Sequence, residues 1–448
     1  MTERRSEEKP AGVSETATQA GEIRSRWDWA EPSVWTERML TALEEGVKGN
    51  KWYSLMDKVY ALPNLRVAFA EVKANGGAAG VDHRTIEMYE CRLEENLEKL
   101  SQSLKGGNYH PRAVRRVWIP KPGSKEKRPL GIPTVEDRVV QAALLHVLEP
   151  IFERDFAEQS YGFRPNRGCK DALRRVVELL NTGCIWVVDA DLKHYFDTIP
   201  HGWMIKRVEE KVADGRVIET LQKYLKQDVM DGMESWMPEE GTPQGAIVSP
   251  LLSNIYLDPL DHIMAREGFQ MVRYADDFVI LCRSEAEARE ALEGLRIWTV
   301  QAGLTLHPEK TRIVNAEQKG GFDFLGYHFE RGMKWPRKRS LDKFRDTIRA
   351  KTKRTHGQSL QVIINDVNRT TRGWFEYFKH SHHNTFAPMD SWVRMRLRSI
   401  LRKRLGRKGR GRGSDHQRWP NVFFREHGLF SLVTDYVVAR QSCLQVNH

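Results

Sequence analysis

No apolar run in this chain approaches the roughly 18 residues that a membrane-crossing helix needs, which argues against a helical membrane protein. Cysteine is scarce. The five present (Cys91, Cys169, Cys184, Cys282 and Cys443) are far apart, odd in number and without a CxxC pair, against both a disulfide frame and a zinc knuckle. The opening stretch, MTERRSEEKPAGVSETATQAG, lacks the apolar core of a secretion signal, so a cytoplasmic location is expected. Its Glu, Ser, Thr and Ala content predicts a disordered lead-in over 1–26. Acidic residues thin out towards the C-terminus: positions 331–448 hold 27 Lys+Arg against 8 Asp+Glu, a balance of +19. The net charge is +11, so the other 330 residues carry −8. A tail that basic, densest in LRKRLGRKGRGRG at 401–413, points to a polyanion, most naturally nucleic acid.

A chain of 448 residues is too long for one simple core. Between Trp27 and Lys51 the pattern suggests one or two short helices, and the glycines at 76–80 break the chain. Ile86, Tyr89, Leu93, Leu97, Leu100 and Leu104 recur at spacings of three and four, predicting one helix. A strand is expected over Val114 to Pro120, then a basic turn over Lys121 to Arg128. Helices follow at Asp137 to Phe156 and Lys170 to Asn181, and a short strand at Ile185 to Asp191. Further helices are expected at 203–226, 250–266 and 284–302, with a loop at Gly241-Thr242-Pro243-Gln244-Gly245. Strand-like pieces lie at 304–315 and 322–329, and beyond Lys338 the pattern is helical and basic.

One stretch resists a purely structural reading. MVRYADDFVIL (271–281) sets two adjacent acids inside an apolar run, where carboxylates lose hydration and repel one another. Two strands, Val272 to Asp276 and Phe278 to Cys282, flanking a tight turn would aim the acids at a shared site. A divalent cation is the natural compensating charge, since Mg²⁺ prefers carboxylate oxygen. A third carboxylate would make a better cage. Asp191, ending IWVVDAD, is the best candidate; Asp189 shares its strand face, but Asp191 lies at the open end. Two acid-tipped strands side by side describe a two-metal site for phosphoryl transfer.

These residues carry a family resemblance. YADD (274–277) resembles the YxDD box of reverse transcriptases, and DLKHYF (191–196) their first acidic motif. IPKPGSKEKRPLGIPTVEDRVVQ (119–141) resembles the fingers motifs, and SYGFRPNRGCKDAL (160–173) the block that follows them. GTPQGAIVSPLLSNIYL (241–257), GLTLHPEKT (303–311) and FDFLGY (322–327) follow in family order, and NRTTRGWFEYFKH (368–380) is similar to the maturase domain of group II intron-encoded reverse transcriptases.

The resemblance implies an α+β right-hand polymerase. An N-terminal extension and the start of the fingers would occupy 27–110, and fingers and palm, with an antiparallel sheet and helices, 111–330. A basic α-helical thumb/maturase domain would fill 331–448. It implies that Asp191, Asp276 and Asp277 are catalytic and hold two Mg²⁺ ions. Lys121, Arg128, Phe196, Gln244 and Lys310 would contact the incoming nucleotide, Phe196 excluding a 2′-hydroxyl with Tyr195 as its adjacent competitor. Phe324, Leu325 and Gly326 would grip the primer end, with a plain core role as the alternative for Phe324. Intron RNA would lie against Arg369, Arg372, Lys379, Arg394, Arg398, Arg402, Lys403 and Arg404, although the spacings of the 394–404 set do not put all of them on one helix face.

The expected activity is copying RNA into cDNA from a DNA primer and dNTPs, joined to assistance in splicing and mobility of a group II intron. Its partners would be intron RNA and target DNA, and a homodimer is compatible with the family. A splicing-only maturase, or a domesticated reverse transcriptase in repair or phage defence, is the competing expectation. The longest family members carry an HNH endonuclease; His382, His383 and His427 form no such set, so a short form without that activity is expected.

Overall fold

A computed structural model describes residues 22–120, 127–242 and 245–445. The greater part of the expected lead-in lies outside the described residues. Its last residues, 22–26, are helical, and Arg24 donates to the carbonyl of Trp35 at 3.0 Å.

The strands in chain order are β1 (Val114–Pro120), β2 (Lys127–Ile132), β3 (Trp186–Asp191), β4 (Val229–Asp231) and β5 (Glu234–Trp236). They continue with β6 (Gln270–Tyr274), β7 (Asp277–Cys282), β8 (Arg312–Asn315), β9 (Phe322–Phe324), β10 (Tyr327–Glu330) and β11 (Met333–Pro336). Three sheets result, with orders β2-β1-β4-β5, β6-β7-β3-β8 and β11-β10-β9. The second is antiparallel throughout and carries the acids. Its strands are nearly continuous apolar runs because both faces are covered: Val188 and Ile280 turn to the main core, Val187, Val279 and Leu281 to a second cluster beneath β9 and β10.

Helix Val135–Glu153 runs through the main core, with Val139, Val140, Ala143, Leu144 and Val147 fully buried. Thr134 caps it, accepting from the Asp137 amide at 3.1 Å. The N-terminal segment packs on this helix, where Trp35 is buried and its indole N–H donates to the carbonyl of His146 at 2.9 Å.

Several expectations are corrected. The helix expected over 86–104 is two helices, Ile86–Glu90 and Leu93–Gly106, because Asn96 donates to the Tyr89 carbonyl at 2.8 Å where the chain turns. Apolar periodicity survives the break since residues of both pieces enter the same core. The helical segments expected over 203–226 are His201–Glu209 and Gly215–Leu225. Asp214 caps the second, accepting from the amides of Arg216 and Val217. In the stretch 304–315 only Arg312–Asn315 is strand. β2, the β4–β5 hairpin and β11 are additions, and β2 takes Lys127 and Arg128 out of the expected basic turn, whose residues 121–126 lie outside the described residues.

Beyond β11 come helices Lys338–Lys351, Leu360–Phe378, Phe386–Arg404 and Leu432–Gln445 around their own core of Ile364, Val367, Phe386, Leu397 and Phe424. The division expected at 330–331 falls inside the β10–β11 hairpin, and the helices start at Lys338. Among the described residues, no helix is long and apolar enough to cross a membrane.

Candidate active site

The register of the acid-bearing sheet sets its chemistry. Asp191, the last residue of β3, pairs directly with Asp277, the first of β7. Tyr274 pairs with Asp277, so β6 and β7 are joined by a two-residue turn of Ala275 and Asp276. Ala275 takes φ 57°, which such a tight turn requires of its first residue. The first strand therefore ends at Tyr274, two residues short of the expected Asp276, and the second restarts at Asp277, one residue earlier than expected. Three carboxylates from two distant segments meet at one strand end.

Each acid has a different environment. Asp191 is open, with 46% of its side chain exposed, and its Oδ2 lies 2.7 Å from Lys310 Nζ. Asp189, on the same strand face, pairs instead with Arg312 at 3.2 Å and is more enclosed. The HPEK loop is held in place by the His307 amide, which donates to the Asp191 carbonyl at 2.7 Å. Asp276 and Asp277 have no ion-pair partner among the described residues. Burial pushes the Asp276 carboxyl above the ordinary range, and the Asp191 charge adds to this. Asp277 touches solvent, yet it sits on a concave floor crowded by protein atoms. That crowding, followed by the Asp276 charge, pushes its carboxyl up to about 7, against the pull of Arg337. Among the described residues, no three metal-ligating side chains already stand in a closed cage. The all-carboxylate donor set suits a hard cation, and one of its oxygens, Asp191 Oδ2, is paired with Lys310.

The hairpin is positioned by groups that sequence reasoning missed. Arg273 on β6 is fully buried and donates to Asp261 through Nε at 2.8 and 3.0 Å. Its Nη1 donates to Asn254 Oδ1 at 2.9 Å and to the carbonyl of Ala275, inside the turn, at 3.0 Å. Asn254 and Asp261 lie seven residues apart on helix Ser249–Arg266, hence on one face. Asn254 Nδ2 donates in turn to the Gly162 carbonyl at 2.8 Å. Gly162 touches the hairpin so closely that a Cβ there would stand 2.4 Å from the Ala275 nitrogen. An arginine inside the run MVRY was the available signal, since a charge in a buried strand needs a partner.

A separate cleft of about 330 Å³ is lined by Arg116, Phe196, Trp236 and Thr242 among others, and by none of the three acids. Tyr195 and Phe196 part company here. Tyr195 is buried and donates to the Ser253 carbonyl at 3.0 Å, whereas the Phe196 ring is half-buried and faces the cleft. Arg128, on β2, is exposed. Gly245, at φ 110°, comes so close to Gly131 that a Cβ would meet its carbonyl oxygen at 2.4 Å. Lys121 and Gln244 lie outside the described residues.

The FLG segment is divided. Phe324 is fully buried in the core, so its side chain does not reach the surface and its expected grip role is corrected on that ground. Leu325 and Gly326, at φ 45° and 85°, form the tight β9–β10 turn. Their carbonyls accept from Tyr377 Oη at 2.7 Å and from the Arg337 amide at 2.9 Å. With Asp277, Arg337, Lys343 and Trp374 they border a cavity of about 540 Å³.

The basic tail sorts by burial. Arg398 is buried, donating to the Trp419 carbonyl at 2.9 Å and Asn421 Oδ1 at 2.8 Å. Arg402 is mostly enclosed and pairs with buried Asp415 at 2.6 Å. Both are structural, which corrects their expected place against RNA: a guanidinium spends its donors where carbonyls would otherwise go unpaired. Arg394 lies 3.9 Å from Asp390 and is largely covered. Lys379 pairs with Glu376 at 2.8 Å, and the Arg372 guanidinium lies over the Phe430 ring. Arg369, Lys403 and Arg404 are open to solvent. The 394–404 set lies on one continuous helix, Phe386–Arg404.

Residues 119–329 match the reverse transcriptase (RNA-dependent DNA polymerase) family, and residues 341–419 the group II intron maturase-specific domain. Protein YkfC of Escherichia coli is 36% identical over 294 residues, covering 56% of this chain and 76% of its own length. The group II intron-encoded protein LtrA of Lactococcus lactis is 40% identical over 197 residues, covering 44% of this chain and 32% of that protein. A chain of a partial Cas6-RT-Cas1–Cas2 complex overlaps 57% of this chain and 44% of its own at 22% identity, with a TM-score of 0.36, too slight a likeness to carry weight.

Proposed function

This chain belongs to the group II intron reverse transcriptase/maturase family, and from that premise we propose that it extends a DNA primer on an RNA template by two-metal phosphoryl transfer. The observation that carries the proposal is the β3–β7 register, which sets Asp191 opposite Asp277 with Asp276 in the adjoining turn. Two Mg²⁺ ions, when bound, would supply the charge that stabilises the attacking and leaving oxygens. Asp191, Asp276 and Asp277 would hold them. Lys310, released from Asp191, would then be positioned to meet the triphosphate.

Phe196 would sit under the incoming sugar and refuse a 2′-hydroxyl, and Gly245 lets the loop approach β2 closely. Arg128, with Lys121 and Gln244, would orient the phosphates and base, Arg offering two parallel donors. Leu325 and Gly326 would steady the primer end through the hairpin tip. The sheets and helices of residues 111–330 would serve as fingers and palm, preceded by the extension at 27–110. The basic helices beyond them would serve as the thumb and as the surface for intron RNA, in support of splicing and mobility.

Extension of oligo(dT) on poly(rA) tests the reading. Wild-type protein should extend it in Mg²⁺, and Asp276→Ala should lower the rate by about a thousandfold or more. Equal extension by the variant would refute it. A splicing-only protein would show no extension in either form.

A further inference from the structure

A cavity of about 900 Å³ has no part in the site just described. It lies between helix Cys169–Asn181, the β10–β11 hairpin, the 379–383 loop and helix Leu432–Gln445. Its walls are of two kinds. Leu180, Phe329, Met333 and Tyr436 make an apolar interior with aromatic faces, of a size to accept a nucleobase. Around them stand Lys334, Lys379, His380, His382, His383 and Arg440, against two acids, Glu317 and Glu330. Glu330 is already engaged by His328 at 3.3 Å and by the Gly320 amide at 3.3 Å.

Lys334 is the informative member. It is half-buried on β11, and among the described residues no carboxylate lies within ion-pair distance of it. Its ammonium stands 5.9 Å from the centre of the Tyr327 ring. Burial lowers its proton affinity, the mark of a cation short of hydration and of a counter-charge. The 379–383 loop is fastened to the same strand by the His382 amide, which donates to the Lys334 carbonyl at 2.8 Å. His382 Nδ1 is buried there without a partner. A lysine kept half-dry at the wall of a roomy chamber that joins apolar to basic walls is ready for an anion carried on a flat apolar group. A nucleotide has that chemistry.

We propose that this cavity binds one unpaired nucleotide of an RNA strand, its base between the apolar walls and its phosphate on Lys334. The proposal takes its ligand class from the RNA-binding reading above, but it concerns a site separate from the polymerase acids.

The test uses the full chain with its template–primer cleft saturated by an unlabelled RNA–DNA hybrid. A short single-stranded RNA carrying thiouridine is then bound, photo-crosslinked and mapped by mass spectrometry. Adducts are expected on the peptides holding Met333 and Tyr436. Lys334→Gln should weaken binding of this RNA about tenfold, the worth of one charge-assisted phosphate contact. Lys334→Arg should retain most of it, and Ala439→Trp, which fills the chamber, should abolish the adducts. Primer extension by all three variants should equal wild type, which separates failure here from failure of the polymerase reading. Adducts confined to other peptides, unchanged binding by Lys334→Gln, or tighter binding of free AMP than of RNA would each overturn the proposal.

Discussion

At the scale of single residues, Asp276 and Asp277 are acids kept in a place that disfavours their charge. A carboxyl whose folded-state value lies above its unfolded one holds extra protons when folded. Asp277 rises from 3.8 to about 7, and Asp276 is also raised. Their contribution is therefore favourable at low pH and is lost as pH climbs from about 4 to about 7. In EDTA, the melting temperature should fall across that window, and Asp277→Asn should flatten the fall. Mg²⁺ requires the ionised forms, so its stabilising effect should grow over the same window. Thermal melts at several pH values, with and without Mg²⁺, check both slopes; identical slopes in wild type and Asp277→Asn would contradict the assignment. Arg273 provides the fixed positive charge that the metal-free hairpin retains, and its hydrogen bond to Ala275 holds the turn in shape.

At the scale of elements, the YADD turn is wedged between helix Ser249–Arg266 and the Gly162 loop. Gly162 has no side chain because the Ala275 backbone occupies that space. Gly162→Ala should push the turn out of register with Asp191, costing about 1–3 kcal/mol as overpacking does. Denaturant melts measure that loss, and primer extension should fall further than the stability change explains. An alanine variant as active as wild type would show that the turn tolerates displacement. The split helices at 86–106 and 201–225 follow the same logic. Local hydrogen bonds from Asn96 and to Asp214 end one helix and start another, while apolar residues of both pieces enter the same core.

At the scale of the whole molecule, positive charge divides into a share that holds the C-terminal helices together and a share that faces water. Arg398 belongs to the first and Lys403 to the second. Arg398→Ala should destabilise the C-terminal helices by roughly 1–3 kcal/mol, since a buried side chain is removed and the Trp419 carbonyl and Asn421 Oδ1 lose their donor. Lys403→Ala should leave the melt unchanged and lower the salt slope of RNA binding by roughly 0.7–0.9, the value of one phosphate contact. Filter binding across a salt series distinguishes them; a Lys403→Ala slope equal to wild type would place RNA elsewhere.

Residue types and short-range patterns were enough to reveal the acids, the order of the motif blocks, most strands and helices, and the basic tail. Acid in an apolar run is anomalous on any fold, and periodicity is a local property of the chain. Tertiary structure alone decided which groups meet. It put Asp191 across from Asp277, turned Lys310 onto Asp191, sank Phe324 and Arg398 into cores, and faced Phe196 rather than Tyr195 to the cleft. Those outcomes depend on register and on packing between segments far apart in sequence. A residue's own identity carries neither: the same arginine can hold a carbonyl or a phosphate, and burial makes the choice.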